Sequence, residues 1–92
     1  MPDFAVVLTD HATGDLDGLP IRVRLQISQD IASLARDPLP PRLGTKKLKG
    51  YRPPLYCLRA GDYRVLYRVA GKTVTVIRVI ACRDLERALH SL

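Results

Sequence analysis

Apolar and polar positions change period along this chain, and each change marks an element. Phe4-Ala5-Val6-Val7-Leu8 is a short, β-prone apolar run that predicts a first strand. Thr9 or Asp10 can cap the next segment, Gly14 weakens a helix there and Gly18 ends it, so residues 10–17 read as a short, imperfect helix. Pro20 suits a helix start because its missing N–H loses no partner there. Val23, Ile27, Ile31 and Leu34 then recur at spacings of four, four and three, one apolar stripe on a helix over residues 20–36 that Asp37-Pro38 ends. Pro38, Pro40, Pro41, Pro53 and Pro54, with Gly44 and Gly50, predict an extended connection over residues 37–54 without regular structure.

Three strands follow, Leu55–Arg59, Tyr63–Val69 and Thr73–Ala81, joined by turns at Ala60-Gly61-Asp62 and Ala70-Gly71-Lys72. In the middle strand Tyr63, Val65, Tyr67 and Val69 share one face, and Arg64, Leu66 and Arg68 the other. The first face should pack on the long helix, leaving the arginine face open or half-open. Asp84 can cap a final short helix through Leu85, Ala88 and Leu89. The expected architecture is α+β: a short N-terminal strand and a helical hairpin packed on a twisted antiparallel sheet, with a short C-terminal helix.

The 92 residues fit a single domain spanning 1–92. A hydrophobic content of 47% excludes a disordered chain, and the 5% of aromatics leaves a core built mainly of Leu, Ile and Val. No apolar run approaches the ~18 residues a membrane span needs, and the acidic start MPDFAVVLTD is unlike a secretory signal, so a cytoplasmic protein without a membrane is expected. Cys57 and Cys82 have no CxxC spacing and only His11 and His90 for company, so no metal and no cofactor is expected. Both cysteines read as small apolar side chains within or beside a sheet.

Charge is distributed unevenly. Residues 1–41 carry three arginines against six aspartates, whereas residues 42–92 carry twelve Lys or Arg against Asp62, Asp84 and Glu86. Such a split suggests a basic face for a polyanion or for an acidic protein partner.

The run Lys46-Lys47-Leu48-Lys49-Gly50, followed by Leu55-Tyr56-Cys57-Leu58-Arg59-Ala60-Gly61-Asp62-Tyr63-Arg64-Val65-Leu66-Tyr67-Arg68-Val69, resembles the core of RelE-type members of the RelE/ParE superfamily of bacterial toxins. Val74–Arg83 is similar to that family's next strand, with basic residues after its end. The likeness is close over residues 44–87 and agrees only in element order before them. It implies a helical hairpin on an antiparallel sheet whose open face holds the site, and a cognate antitoxin that covers or distorts that face. RelE-type members cut messenger RNA on the ribosome, and ParE-type members inhibit DNA gyrase.

Metal-independent RNA cleavage needs positive charge on the phosphorane, a base for the 2′-hydroxyl and an acid for the leaving oxygen. A guanidinium suits the first role, since its fork binds two phosphate oxygens and stays charged. By resemblance Arg64 and Arg83 match the phosphate-stabilising arginines, and Lys46, Lys47, Lys49, Arg59 and Arg68 line an RNA path. Without the motif, Arg64 and Arg68 read as solvent-facing strand residues. Tyr56 is open to two readings, a base-stacking aromatic or a core residue; Tyr63 and Tyr67 read as core. His90, near the C-terminus, stands where related toxins carry a Tyr or His for proton transfer, and a tail histidine is also often merely exposed. Leu55 and Cys57 occupy strand positions where RNA-cleaving relatives often carry lysines, a departure that favours the gyrase branch. Three functions follow from the resemblance: an endoribonuclease toxin acting on ribosome-bound messenger, a non-nucleolytic gyrase inhibitor, and a degenerate homologue keeping only antitoxin binding.

Overall fold

The computed structural model describes residues 3–92. Its elements run β1 (Ala5–Leu8), α1 (Asp10–Asp17), α2 (Ile21–Ser33), β2 (Thr45–Leu48), β3 (Leu55–Ala60), β4 (Tyr63–Ala70), β5 (Thr73–Ala81), a single 3-10 turn at Cys82–Asp84, and α3 (Leu85–His90). The five strands form one sheet in the order β1-β5-β4-β3-β2. β2 through β5 pair antiparallel, and β1 joins the far edge parallel to β5.

Thr9 starts α1, its hydroxyl accepting from the Ala12 N–H at 3.1 Å while donating to the Ile77 carbonyl at 3.0 Å. One side chain therefore caps the helix and pins it to β5. The stripe foreseen on the long helix is real, with Ile27, Ile31 and Leu34 buried and each worth about 1.5–3 kcal/mol of apolar transfer. The helix itself ends at Ser33, three residues earlier than the pattern predicts. There Leu34, Ala35 and Arg36 switch to i−3 carbonyls, and the Ala35 carbonyl accepts from the Asp3 and Phe4 amides at the entry to β1. The end of α2 is spent on fixing the N-terminal strand.

β2 corrects the expectation for residues 37–54. Gly44, at φ +85°, turns the chain so that its carbonyl meets the Arg59 N–H at 2.8 Å, and Thr45–Leu48 then pair with β3. The strand is a sheet edge, where lysines are common because they discourage pairing with another chain. Asp84 is a second correction: it precedes α3 but its side chain makes no capping bond, facing Arg87 at 3.6 Å instead.

The sheet separates two cores. Leu58, Ala60, Val65, Tyr67, Val74, Val76 and Val79 pack with Ala12 and Leu16 of α1 and the α2 stripe. On the other face Leu55, Cys57, Leu66 and Ile80 are covered by Ala88, with Leu85, Leu89 and Tyr51 around them. The face of Arg64, Leu66 and Arg68 is therefore half-open, with its middle under α3. A register shift between Leu66 and Tyr67, which pair with Arg78 and Val76, leaves Ile77 unpaired. That bulge turns Arg78 toward α1, where its Nε meets Asp15 at 2.8 Å; the same carboxylate accepts the Val79 N–H at 2.9 Å. Asp15 thus satisfies the β5 edge beyond the end of β1, and its hydrogen bond raises the Arg78 pKa. Asp15→Ala should lower stability by about 1–3 kcal/mol, because it strands a strand amide and a guanidinium together. Chemical denaturation checks this, and a change below about 0.5 kcal/mol would contradict it.

Candidate functional site: a cationic hollow on the half-open sheet face

Antiparallel register places Lys46 across from Cys57, Cys57 across from Leu66, and Arg59 across from Arg64. From these rungs Lys46, Cys57, Arg59 and Arg64, with Gly44, Thr45, Leu48 and Leu85, line a hollow of about 410 Å³ on the face opposite α1 and α2. Its lining holds three cations and no carboxylate, and among the described residues none of the three forms an ion pair. Like charges directly opposite on paired strands destabilise a sheet. Arg59 against Arg64 is such a pair, kept without a compensating acid.

The Arg64 guanidinium is held in place. One terminal nitrogen donates to the Gly61 and Tyr63 carbonyls at 2.9 and 2.8 Å, leaving its other donors for a ligand. Cys57 is the floor. Burial pushes its thiol pKa up, against the pull of the Arg64 charge, so it stays a neutral thiol at neutral pH. Because the thiolate is the nucleophile, iodoacetamide should label exposed Cys82 in the folded protein and reach Cys57 only after denaturation. Equal labelling of both by mass spectrometry would contradict this.

The other candidates are dispersed. Arg83 follows β5, where the Cys82 N–H bonds the Asp62 carbonyl at 2.8 Å; it borders hollows with Asp62 and Tyr63, and with Asp15, Arg78 and Arg87. It shares the 61–63 turn with Arg64 but does not line the same hollow. Arg68 lies on the Arg64 face beyond Leu66, its Nε buried without a hydrogen-bond partner among the described residues. Lys47 and Lys49 border a separate hollow with Tyr51 and Arg52. Tyr56, across from Lys47, is half-buried, stacks on Tyr67 with ring centroids 5.6 Å apart and packs against the helix-side core, on the opposite face from Arg64. Tyr67 is fully buried and Tyr63 packs on the same core, as expected. His90 ends α3, exposed and without a hydrogen bond among the described residues. Nothing in the sequence pattern marks Thr45 and Leu85 as wall residues, since Thr45-Lys46-Lys47-Leu48 has no hydrophobic alternation.

The family model described as the ParE toxin of the type II toxin–antitoxin system parDE matches residues 6–86. The chain belongs to this toxin family. Solved structures agree. The toxin is 31% identical to the RelBE2 toxin–antitoxin complex chain of Mycobacterium tuberculosis, with a TM-score of 0.76 over 88% of this chain and 99% of that one. It is 25% identical to a chain of the archaeal RelE–RelB complex of Pyrococcus horikoshii, at TM-score 0.73 over 86% and 94%. A YoeB/ParE toxin from Agrobacterium tumefaciens is also 25% identical, at TM-score 0.71 over 85% and 98%. Among curated proteins none matches. The resemblance to the RelE/ParE superfamily therefore holds, and the protein is a toxin of a type II toxin–antitoxin system whose relatives are solved bound to antitoxins. No helix of the described residues is long and apolar enough to cross a membrane.

Proposed function

We propose that the toxin is an endoribonuclease that binds a phosphate of ribosome-bound messenger RNA in the hollow between β2, β3 and β4. The observation that carries this reading is Arg59 directly across from Arg64, with Lys46 in the same lining and no carboxylate among them. A site that keeps uncompensated like charges suits a ligand that brings the opposite charge.

In the reaction, the 2′-oxygen bonds to phosphorus and the bond from phosphorus to the 5′-oxygen breaks. The products are a 2′,3′-cyclic phosphate and a 5′-hydroxyl. Arg64, fixed by two backbone carbonyls, stabilises charge building on the phosphorane, and fixed donors do this without reorganising during the reaction. Lys46 and Arg59 position the strand, and Arg83, which borders Asp62 and Tyr63 outside the hollow, is the second candidate for the phosphate charge. Cys57, held as a thiol, is no base. With no carboxylate or imidazole in the lining, alignment of the 2′-hydroxyl falls to the ribosome, and His90 is the candidate proton carrier.

Purified toxin added to ribosomes holding a labelled messenger tests this directly. Discrete cuts ending in 2′,3′-cyclic phosphate are expected, and no cut on the same RNA without ribosomes. An uncut messenger on the ribosome would reject the reading. The second reading, gyrase inhibition, is favoured by the ParE description of the matching family and by Leu55 and Cys57 in place of lysines. It predicts loss of supercoiling by purified gyrase instead.

A further inference from the structure

Leu43 is 96% exposed, yet the backbone on both sides of it is fixed. The Arg42 guanidinium donates to the Asp37 carbonyl at 2.9 Å and to the Ser33 hydroxyl at 2.6 Å. The Arg42 carbonyl in turn accepts from both the amide and the hydroxyl of Thr45, at 3.1 and 2.7 Å. Gly44 is tied through its carbonyl to the Arg59 amide. A mobile loop could fold an apolar side chain back onto the surface; this one is pinned so that Leu43 stays in water. Leu39, 40% exposed, and the exposed Pro40 and Pro41 extend the apolar surface. The segment leads directly into Gly44 and Thr45, which are already the wall of the cationic hollow. An apolar ledge and an uncompensated cationic hollow thus share one rim.

We propose that residues 39–43 form a docking ledge for the cognate antitoxin, occupied by an antitoxin segment that carries apolar side chains next to acidic ones. Leucine and proline offer neither the aromatic face nor the donors that single-stranded RNA uses, but they suit apolar side chains of a protein partner. The neighbouring Lys46, Arg59 and Arg64 then meet carboxylates, which makes the surface complementary in charge as well as in polarity. The ledge alone is far smaller than the roughly 1,200–2,000 Å² of a stable interface, so it anchors one part of a larger contact. The proposal rests on family membership and not on RNA cleavage; it adds where the partner sits.

Calorimetric titration of the intact toxin with its cognate antitoxin tests the ledge. Leu43→Ser should raise Kd about tenfold with the melting temperature unchanged, because the side chain touches little of its own protein. Lys46→Glu should also weaken binding, and should flatten its dependence on salt. A Kd for Leu43→Ser within twofold of the parent overturns the ledge, as does a loss that accompanies a drop in melting temperature, and a loss confined to Lys46→Glu assigns binding to charge alone. The readout is affinity, so a toxin that leaves RNA uncut does not affect the outcome.

Discussion

Arg64→Ala is expected to lower RNA cleavage by about 10²–10³, the effect of removing one preorganised donor to a developing oxyanion, while leaving the fold nearly intact. The guanidinium is held by the Gly61 and Tyr63 carbonyls, and both belong to a turn that water can reach once the side chain is gone. Arg64→Lys should restore only part of the rate, since a point charge cannot both hold the turn and offer a fork to phosphate. Single-turnover cleavage on programmed ribosomes, beside a thermal melt, separates these outcomes. A variant that melts normally and cuts at the parent rate would remove Arg64 from the mechanism.

Tyr67→Ala is expected to cost about 3–5 kcal/mol, the range for emptying a large aromatic site in a core. Tyr67 is fully buried, stacks on Tyr56 and donates its hydroxyl to the Pro38 carbonyl. Burial also pushes the phenol pKa well up, so the group remains a donor throughout the usual pH range. The contact joins β4 to the loop after α2, which in turn carries the Leu39–Leu43 ledge. Tyr67→Phe separates packing from hydrogen bonding: it keeps the ring and should cost only about 1–3 kcal/mol, from the carbonyl left unpaired. Urea unfolding measures both. Equal costs for Ala and Phe would mean that the hydroxyl, not the ring, holds this part of the core.

Where side-chain period decides the structure, the sequence is sufficient. The α2 stripe and the alternation of Tyr63, Val65 and Tyr67 predict which faces meet, because burying apolar area is the dominant local signal. Pairings set by backbone bonds are silent in that pattern. β2 forms because Gly44 turns and Arg59 offers an amide, and no hydrophobic alternation marks an edge strand with two exposed lysines. The early end of α2 is likewise a matter of the Ala35 carbonyl, captured by the chain entering β1. The site was legible in part: the Gly61-Asp62-Tyr63-Arg64 motif led to Arg64, and register then brought Lys46 and Arg59 beside it. Tyr56 could not be assigned to a face until the register of β3 on β4 set it opposite Tyr67. The bulge at Ile77, which turns Arg78 to Asp15, depends on residues more than sixty positions apart.

As the proposed ribonuclease, this toxin would stop growth by cutting messenger RNA through its cationic hollow. Primer extension on messenger RNA from cells induced for the intact toxin tests it most directly, with the Arg64→Ala protein as control. New 5′ ends within translated regions, absent for Arg64→Ala and absent when translation is blocked beforehand, are the expected result. Growth arrest with intact messenger, together with inhibition of supercoiling by purified gyrase, would contradict it.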